Sequence, residues 1–260
     1  LKHKYIEPIE NKKNSSDMNI VVVGASGATG KQLVEQLLNQ GHTVKAVVRN
    51  PRNLPESWKS NHCLQIISAS LLDLSDQELM ELTVDCHSVA SCLGHTMSWK
   101  GIYGKPRKLV TDAVHKLCKA IAANEPEHPV KFVLINTIGN RNRDLNEPIS
   151  FAQKCVIGLL RLALPPHVDN EKAADYLRTQ IGQNNQYIEW TAVRPNGLVD
   201  ENAVTAYAVH PSPIRSAIFN AGKISRINVA DFMARLINDD TLWNTWKGQM
   251  PVLYARLSLN

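Results

Sequence analysis

The stretch NIVVVGASGATGKQLVEQLLNQG, residues 19–41, passes from a β-branched run through a glycine-rich turn into a helical pattern. Residues 20–23 read as a buried strand, and residues 31–40 place leucine and valine on one helical face before Gly41 stops the helix. Between them stands Gly24-Ala25-Ser26-Gly27-Ala28-Thr29-Gly30. A glycine at every third place allows a tight turn, a close approach of backbone to a ligand, and close packing of helix on strand. The helix that follows offers unpaired N–H groups and the positive end of its dipole, which suits a pyrophosphate. In this setting Gly24, Ser26, Gly27, Ala28, Thr29 and Gly30 are candidate dinucleotide contacts, and a merely structural turn is the other reading. Lys31 does not make a mononucleotide phosphate loop, because it stands one residue too far from Gly24 and Gln32 replaces the hydroxyl that would bind magnesium.

Outward from this turn, short apolar runs alternate with helical segments. Strands are expected at residues 20–23, 43–48, 64–67, 88–93, 131–136 and 187–193, and helices at 31–40, 76–82, 107–124 and 170–181. That alternation predicts an α/β fold, a Rossmann doubly wound parallel sheet. After Pro195 the pattern becomes irregular, with one helix at 229–237 and a tail holding Trp243 and Trp246. The expected organisation is a polar N-terminal extension at 1–17, of upstream or expression origin, followed by one nucleotide-binding domain at 18–260. Residues from about 195 are expected to contribute a small C-terminal substrate lobe. The apolar stretch 156–164, closed by Pro165-Pro166, reads as the end of a buried helix.

Of 260 residues, 43% are hydrophobic and 20% charged, the balance of an ordinary globular protein and not of a disordered one. The net charge of +5 is spread along the chain, so no nucleic-acid partner is expected. No apolar run is long enough to span a bilayer, and no membrane partner is expected. Cys63, Cys86, Cys92, Cys118 and Cys155 form no CxxC pair, which speaks against a metal site and for unpaired thiols in a cytoplasmic setting.

The second strand ends at Arg49, where an acidic residue would hold the ribose hydroxyls of NAD. A guanidinium instead offers paired donors to the 2′-phosphate of NADP, so NADP(H) is the expected cofactor; a solvated strand-end charge is the alternative. Together VVVGASGATGK, AVVRNP, SVASCLG, VLINTIGN, TAVRPNGLVD and SRINVADFM occur in an order that resembles atypical short-chain dehydrogenase/reductases. Among these the chain is most similar to the NmrA-like and biliverdin reductase B-like NAD(P)-binding proteins. The resemblance puts Ser70 and Leu71 at the adenine-contacting position after the third strand, where the family has Asp and a hydrophobic residue. Asp73 is then read as a helix cap. Leu93, Gly94 and Pro195, inside the matching segments, join the candidate cofactor contacts.

The superfamily's Ser, Tyr and Lys are only partly matched. Lys172 resembles the lysine, and Thr137 the serine position, while Val168 stands where the proton-donating Tyr belongs. Tyr176 is followed at the motif spacing by Gln180 and does not restore it. Thr137 either bonds a substrate carbonyl or satisfies local backbone, and Lys172 either lies near the nicotinamide ribose or is a solvated helix charge. His95 and His167 are further candidate proton donors. Trp190, Trp243 and Trp246 read as packing residues, and Trp99, with Met97 and Tyr103, as a pocket wall or as surface. Two functions follow: a reductase passing hydride to a small conjugated acceptor such as a flavin or quinone, or a non-catalytic NADP(H) sensor read by a protein partner.

Overall fold

The β-branched runs and the amphipathic segments between them fold as an alternating series of strands and helices. The computed structural model describes residues 4–8, 17–96, 98–220 and 222–256. Its strands are β1 (Lys4–Ile6), β2 (Asn19–Val23), β3 (Thr43–Val48), β4 (Leu64–Ser68), β5 (Ser88–Ser91), β6 (Val130–Ile135), β7 (Ile188–Pro195), β8 (Gly197–Val199), β9 (Tyr207–His210), β10 (Lys223–Ser225) and β11 (Val252–Ala255). The helices are α1 (Ala28–Asn39), α2 (Glu56–Lys59), α3 (Asp76–Thr83), α4 (Trp99–Tyr103), α5 (Leu109–Ala123), α6 (Phe151–Ala163), α7 (Pro165–Tyr176), α8 (Arg226–Asn238) and α9 (Asp240–Trp246).

One sheet runs in the order β1-β9-β11-β7-β6-β5-β2-β3-β4, parallel from β11 through β4 and closed at the other edge by antiparallel β9 and β1. Parallel neighbours need crossovers, and the helices supply them on both faces. Alternation along β2 divides the core. Ile20 and Val22 pack with Leu33 and Leu37 of α1 and Phe232 and Leu236 of α8, while Val21 and Val23 face Val110, Val114 and Leu117 of α5 and Ala173 of α7. The fold is the Rossmann-like α/β architecture expected from the strand pattern.

Five features depart from the sequence reading. Lys4–Ile6, from the expected extension, pairs with β9 and buries Ile6; among residues 1–17 only 4–8 and 17 are described. Strands β9 and β11 are four residues each, too short for a period-2 pattern to declare them. Of the stretch after Pro195, β8 and β10 form a separate two-stranded sheet, whereas β9, α8 and β11 return to the main sheet and its helix layer. Ser75, not Asp73, caps α3, in a reciprocal bond pair with Glu78. Finally, the 156–164 stretch is not buried: α6 lies on the surface and among its residues only Ile157 is buried. Among the described residues no helix is long and apolar enough to cross a membrane.

Candidate functional site

The chain leaves β2 toward β3 and β4 on one side and returns to β5 on the other, so its direction reverses between β2 and β5. In open α/β sheets the crevice over the carboxyl ends of such strands receives the ligand. Gly24 stands there with φ +72, and a Cβ on it would lie 2.6 Å from the carbonyl carbon of Cys92 at the end of β5. A Cβ on Gly30 would collide with the Gly24 carbonyl oxygen. That oxygen also accepts the Gly27 N–H at 3.0 Å, which closes the turn. Gly27 is the N-cap of α1 and supplies no side-chain cap, and Ser26, Gly27 and Ala28 are exposed. The first turn of α1 is therefore open to an anion from above, while Thr29 and Gly30 are buried in the packing beneath.

Arg49 is exposed at the end of β3, and among the described residues no hydrogen bond or ion pair engages its guanidinium. Asn50 beside it caps the turn at Pro51–Asn53 by accepting the Arg52 N–H at 3.0 Å. Ser70 is half-buried after β4, but Leu71 is buried in the core layer of α3 and α5. Past β5, Leu93 is half-buried and Gly94 is exposed, with open space where a Cβ would stand. Pro195 is buried at the end of β7, its carbonyl accepting the Ile138 N–H at 3.0 Å.

The candidate catalytic residues separate. Thr137 follows β6, and its hydroxyl oxygen accepts the Gly139 N–H at 3.2 Å, which leaves the hydroxyl proton available to donate. His167 of α7 comes to the same turn: a Cβ on Gly139 would lie 3.3 Å from His167 Cε1 and 3.7 Å from Thr137 Oγ1. Its Nε2 lies 3.4 Å from Glu171 Oε1. Burial alone would push the Glu171 carboxyl up, but His167 and Arg161 hold it down at about 2. Lys172 is exposed on α7 and shares no hydrogen bond or ion pair with Thr137. Val168, without a proton to give, is half-buried, and Tyr176 packs its ring on His115, centroids 3.9 Å apart.

His95, an expected proton donor, has both ring nitrogens engaged within the protein. Its Nε2 lies 2.8 Å from Asp169 Oδ2 and its Nδ1 3.1 Å from the Gly101 carbonyl oxygen. Both partners are acceptors, which favours the charged ring, and the Asp169 bond raises the imidazole pKa. Burial opposes the Asp169 charge, yet hydrogen bonds from His95, Thr111 and Val110 outweigh it and hold its pKa low. Asp169 also takes the backbone N–H groups of Val110 and Thr111 at 2.8 and 2.9 Å, so it caps α5 from α7. Trp99 is exposed, and Met97 lies outside the described residues.

Three positioning residues escaped the sequence reading. Asn136 donates to the Asn170 carbonyl at 2.9 Å and accepts from the Thr137 N–H at 2.8 Å, tying the end of β6 to α7. Arg194 and Glu147 form a fully buried ion pair at 2.7 Å that fixes the loop after β6. An arginine inside the apolar run TAVRPNG was the available signal, since a charge at a strand interior needs a partner. Between this loop, α6 and residues 213–216 lies a cavity of about 250 Å³ that reaches Ile138 and Gly139.

A parallel doubly wound sheet with a glycine turn and an open helix N-terminus at its switch point defines a nucleotide-binding protein of the Rossmann class. The NAD(P)H-binding family model matches residues 24–240, and the chain belongs to that family. An uncharacterized chloroplastic protein of Arabidopsis thaliana is 29% identical over 212 residues, 82% of this chain and 69% of that protein. An oxidoreductase of Lactococcus lactis superposes with a TM-score of 0.63 at 17% identity, covering 92% of this chain and 91% of that one. An anaerobilin reductase of Escherichia coli O157:H7 gives 0.63 at 17% identity over 93% and 98%. At that identity the structures share the fold.

Proposed function

We propose that the protein is an NADP(H)-dependent reductase that passes hydride to a conjugated acceptor. The observation that carries this reading is the unengaged Arg49 guanidinium beside the uncapped N-terminus of α1. The glycine turn leaves no Cβ where a pyrophosphate would lie, and its exposed Ser26, Gly27 and Ala28 would hold it by backbone N–H groups. Arg49 would pair with the 2′-phosphate, where an acid would repel it. Ser70, Leu93, Gly94 and Pro195 line the strand ends on either side of that path; Leu71, being core, shapes the wall from beneath.

Bound there, the nicotinamide supplies hydride. Thr137 would orient the acceptor by its hydroxyl proton, and His167 is the titratable group that shares its turn. Val168 removes the usual phenol, and an aliphatic ketone would lose the roughly 10²–10⁴-fold help of a positioned acid. An extended acceptor delocalises the charge until water protonates it. A flavin, a quinone or an open-chain tetrapyrrole meets that requirement, and one fold neighbour is described as an anaerobilin reductase. The five unpaired cysteines suit a reducing compartment, the cytoplasm or, as for the chloroplastic relative, a plastid interior.

Stopped-flow oxidation of bound NADPH with both acceptor classes tests this. Faster oxidation by the conjugated class supports it. Faster oxidation by an aliphatic ketone would give the proton transfer to His167, and no oxidation by any acceptor would replace the reductase with an NADP(H) sensor.

A further inference from the structure

Helix α6 differs from the other long helices. α1, α5 and α8 each send an apolar face into the core, whereas α6, with Gln153, Lys154 and Arg161 on one side, turns most of its apolar side outward and buries only Ile157. Phe151, Cys155, Leu159 and Leu162 recur at helical spacing on its outer face. Phe151, Leu159 and Leu162 are 82%, 65% and 86% exposed. At the C-terminal end of α6 the Tyr103 hydroxyl donates to the Ala163 carbonyl at 3.0 Å. That bond sets the Trp99–Tyr103 ring pair, 4.6 Å between centroids, against α6, and Trp99 is 80% exposed. At the other end Ser216 Oγ lies 3.2 Å from Gln153 Oε1, bringing the loop of exposed Ile214 and Phe219 alongside.

The charge on this border has one sign. Residues 98–111 and 148–168 include six Lys or Arg and no Asp or Glu. Lys105, Arg107, Lys108 and Lys154 are exposed. Of the carboxylates that follow or flank these segments, Glu171 is engaged by Arg161 at 2.9 Å, Glu147 by Arg194 at 2.7 Å and Asp169 by His95 at 2.8 Å, which leaves half-buried Asp112 in the first turn of α5 as the one acid set against these cations. A second copy meeting this face in a two-fold contact would bring like charges together. Large apolar side chains, an exposed Trp and flanking cations together match the headgroup region of an anionic bilayer.

We propose that the border formed by α4, α6 and residues 214–219 docks on the surface of an anionic lipid membrane, against the sequence expectation of no membrane partner. The cavity bounded by Gln153, Ile157 and residues 213–216 lies beneath that border and reaches Gly139. Docking thus sets its mouth at the lipid, and a lipophilic acceptor enters without crossing water; this consequence rests on the reductase reading, and the docking does not.

Co-sedimentation of the full chain with vesicles of phosphatidylcholine, with and without phosphatidylglycerol, is the test. The expected result is binding to the anionic vesicles that weakens with salt, with a blue shift in tryptophan emission as Trp99 enters the interface. The double variant Leu159→Glu, Leu162→Glu should lower the bound fraction by about tenfold or more and still bind NADPH. Equal binding of that variant, or no binding of the unmodified chain to either vesicle, overturns the proposal. So does a dimer in light scattering that the variant dissociates in the absence of vesicle binding. Vesicle binding without NADPH oxidation by any acceptor supports the docking while removing the reductase reading.

Discussion

Gly24 and Gly27 stand three residues apart in one turn and answer to different forces. Gly24 needs a positive φ, and a Cβ there would strike backbone at the end of β5. Gly24→Ala should therefore cost about 1–3 kcal/mol in backbone strain, besides the collision, and lower the urea midpoint. Gly27 has φ −71, open to any residue, and its Cβ would meet only the Gly24 carbonyl oxygen, at 3.2 Å. Gly27→Val should leave the melting curve close to that of the parent while weakening NADPH binding, because the branched side chain fills the space above α1. Equal loss of stability in both variants would return the turn to a structural role. At Arg49 the force is charge: Arg49→Asp should shift preference from NADP to NAD by roughly tenfold to a hundredfold, the scale of a charge-assisted bond. Equal titration of both cofactors by the unmodified chain would refute that assignment.

Among the elements, the helices that flank the crevice are held by side chains that pattern reading does not see. Periodicity finds α1, α3, α5 and α8 because each has one apolar face, whereas α7 buries Asp169 and Glu171 beside Ala173 and Ala174. Periodicity misplaces α6, whose apolar run from Cys155 to Leu160 matches a buried helix, although most of its apolar side faces outward and only Ile157 is covered. Nor does it join α5 and the segment after β5 to α7, since Asp169 lies 59 residues from Val110 and 74 from His95. That joint has a pH signature. His95 has a raised pKa, so its contribution is full below the unfolded value of 6.5 and drains as pH rises through the folded one. Asp169 has a lowered pKa, so its contribution is present above 3.8 and is lost as pH falls through the folded value. The clamp is strongest between those two limits. Asp169→Asn should cost on the order of 3–5 kcal/mol and flatten both limbs of a plot of melting temperature against pH. An unchanged profile would mean that the clamp does not titrate.

At the scale of the molecule, the glycine turn and the six expected strands place the sheet and its crevice, because each strand carries its own β-branched run. The edge formed by β11, β9 and β1 was not legible, because those strands are short and acquire identity only by pairing with β7 and with one another. One side chain binds this late edge to the candidate site. Buried Arg194 on β7 donates to the carbonyls of Met250 at 2.7 Å, Asn140 at 2.9 Å and Pro211 at 3.2 Å, and to Glu147 at 2.7 Å. It thereby joins the approach to β11, the turn after β6 and the approach to residues 213–216, which bound the cavity. Arg194→Met leaves Glu147 charged and buried without its partner, so it should destabilise by about 3–5 kcal/mol. Adding Glu147→Leu removes the stranded charge and should restore much of that stability, since replacing both members of a buried pair is far cheaper than breaking it. Cofactor binding at α1 should survive in the double variant, whereas acceptor reduction should fall, because the loop carrying Ile138 and Gly139 loses its anchor. Urea unfolding of the parent, the single and the double variant measures the coupling. Equal midpoints for the single and double variants would show that the three carbonyl bonds, and not the ion pair, hold the edge to the site.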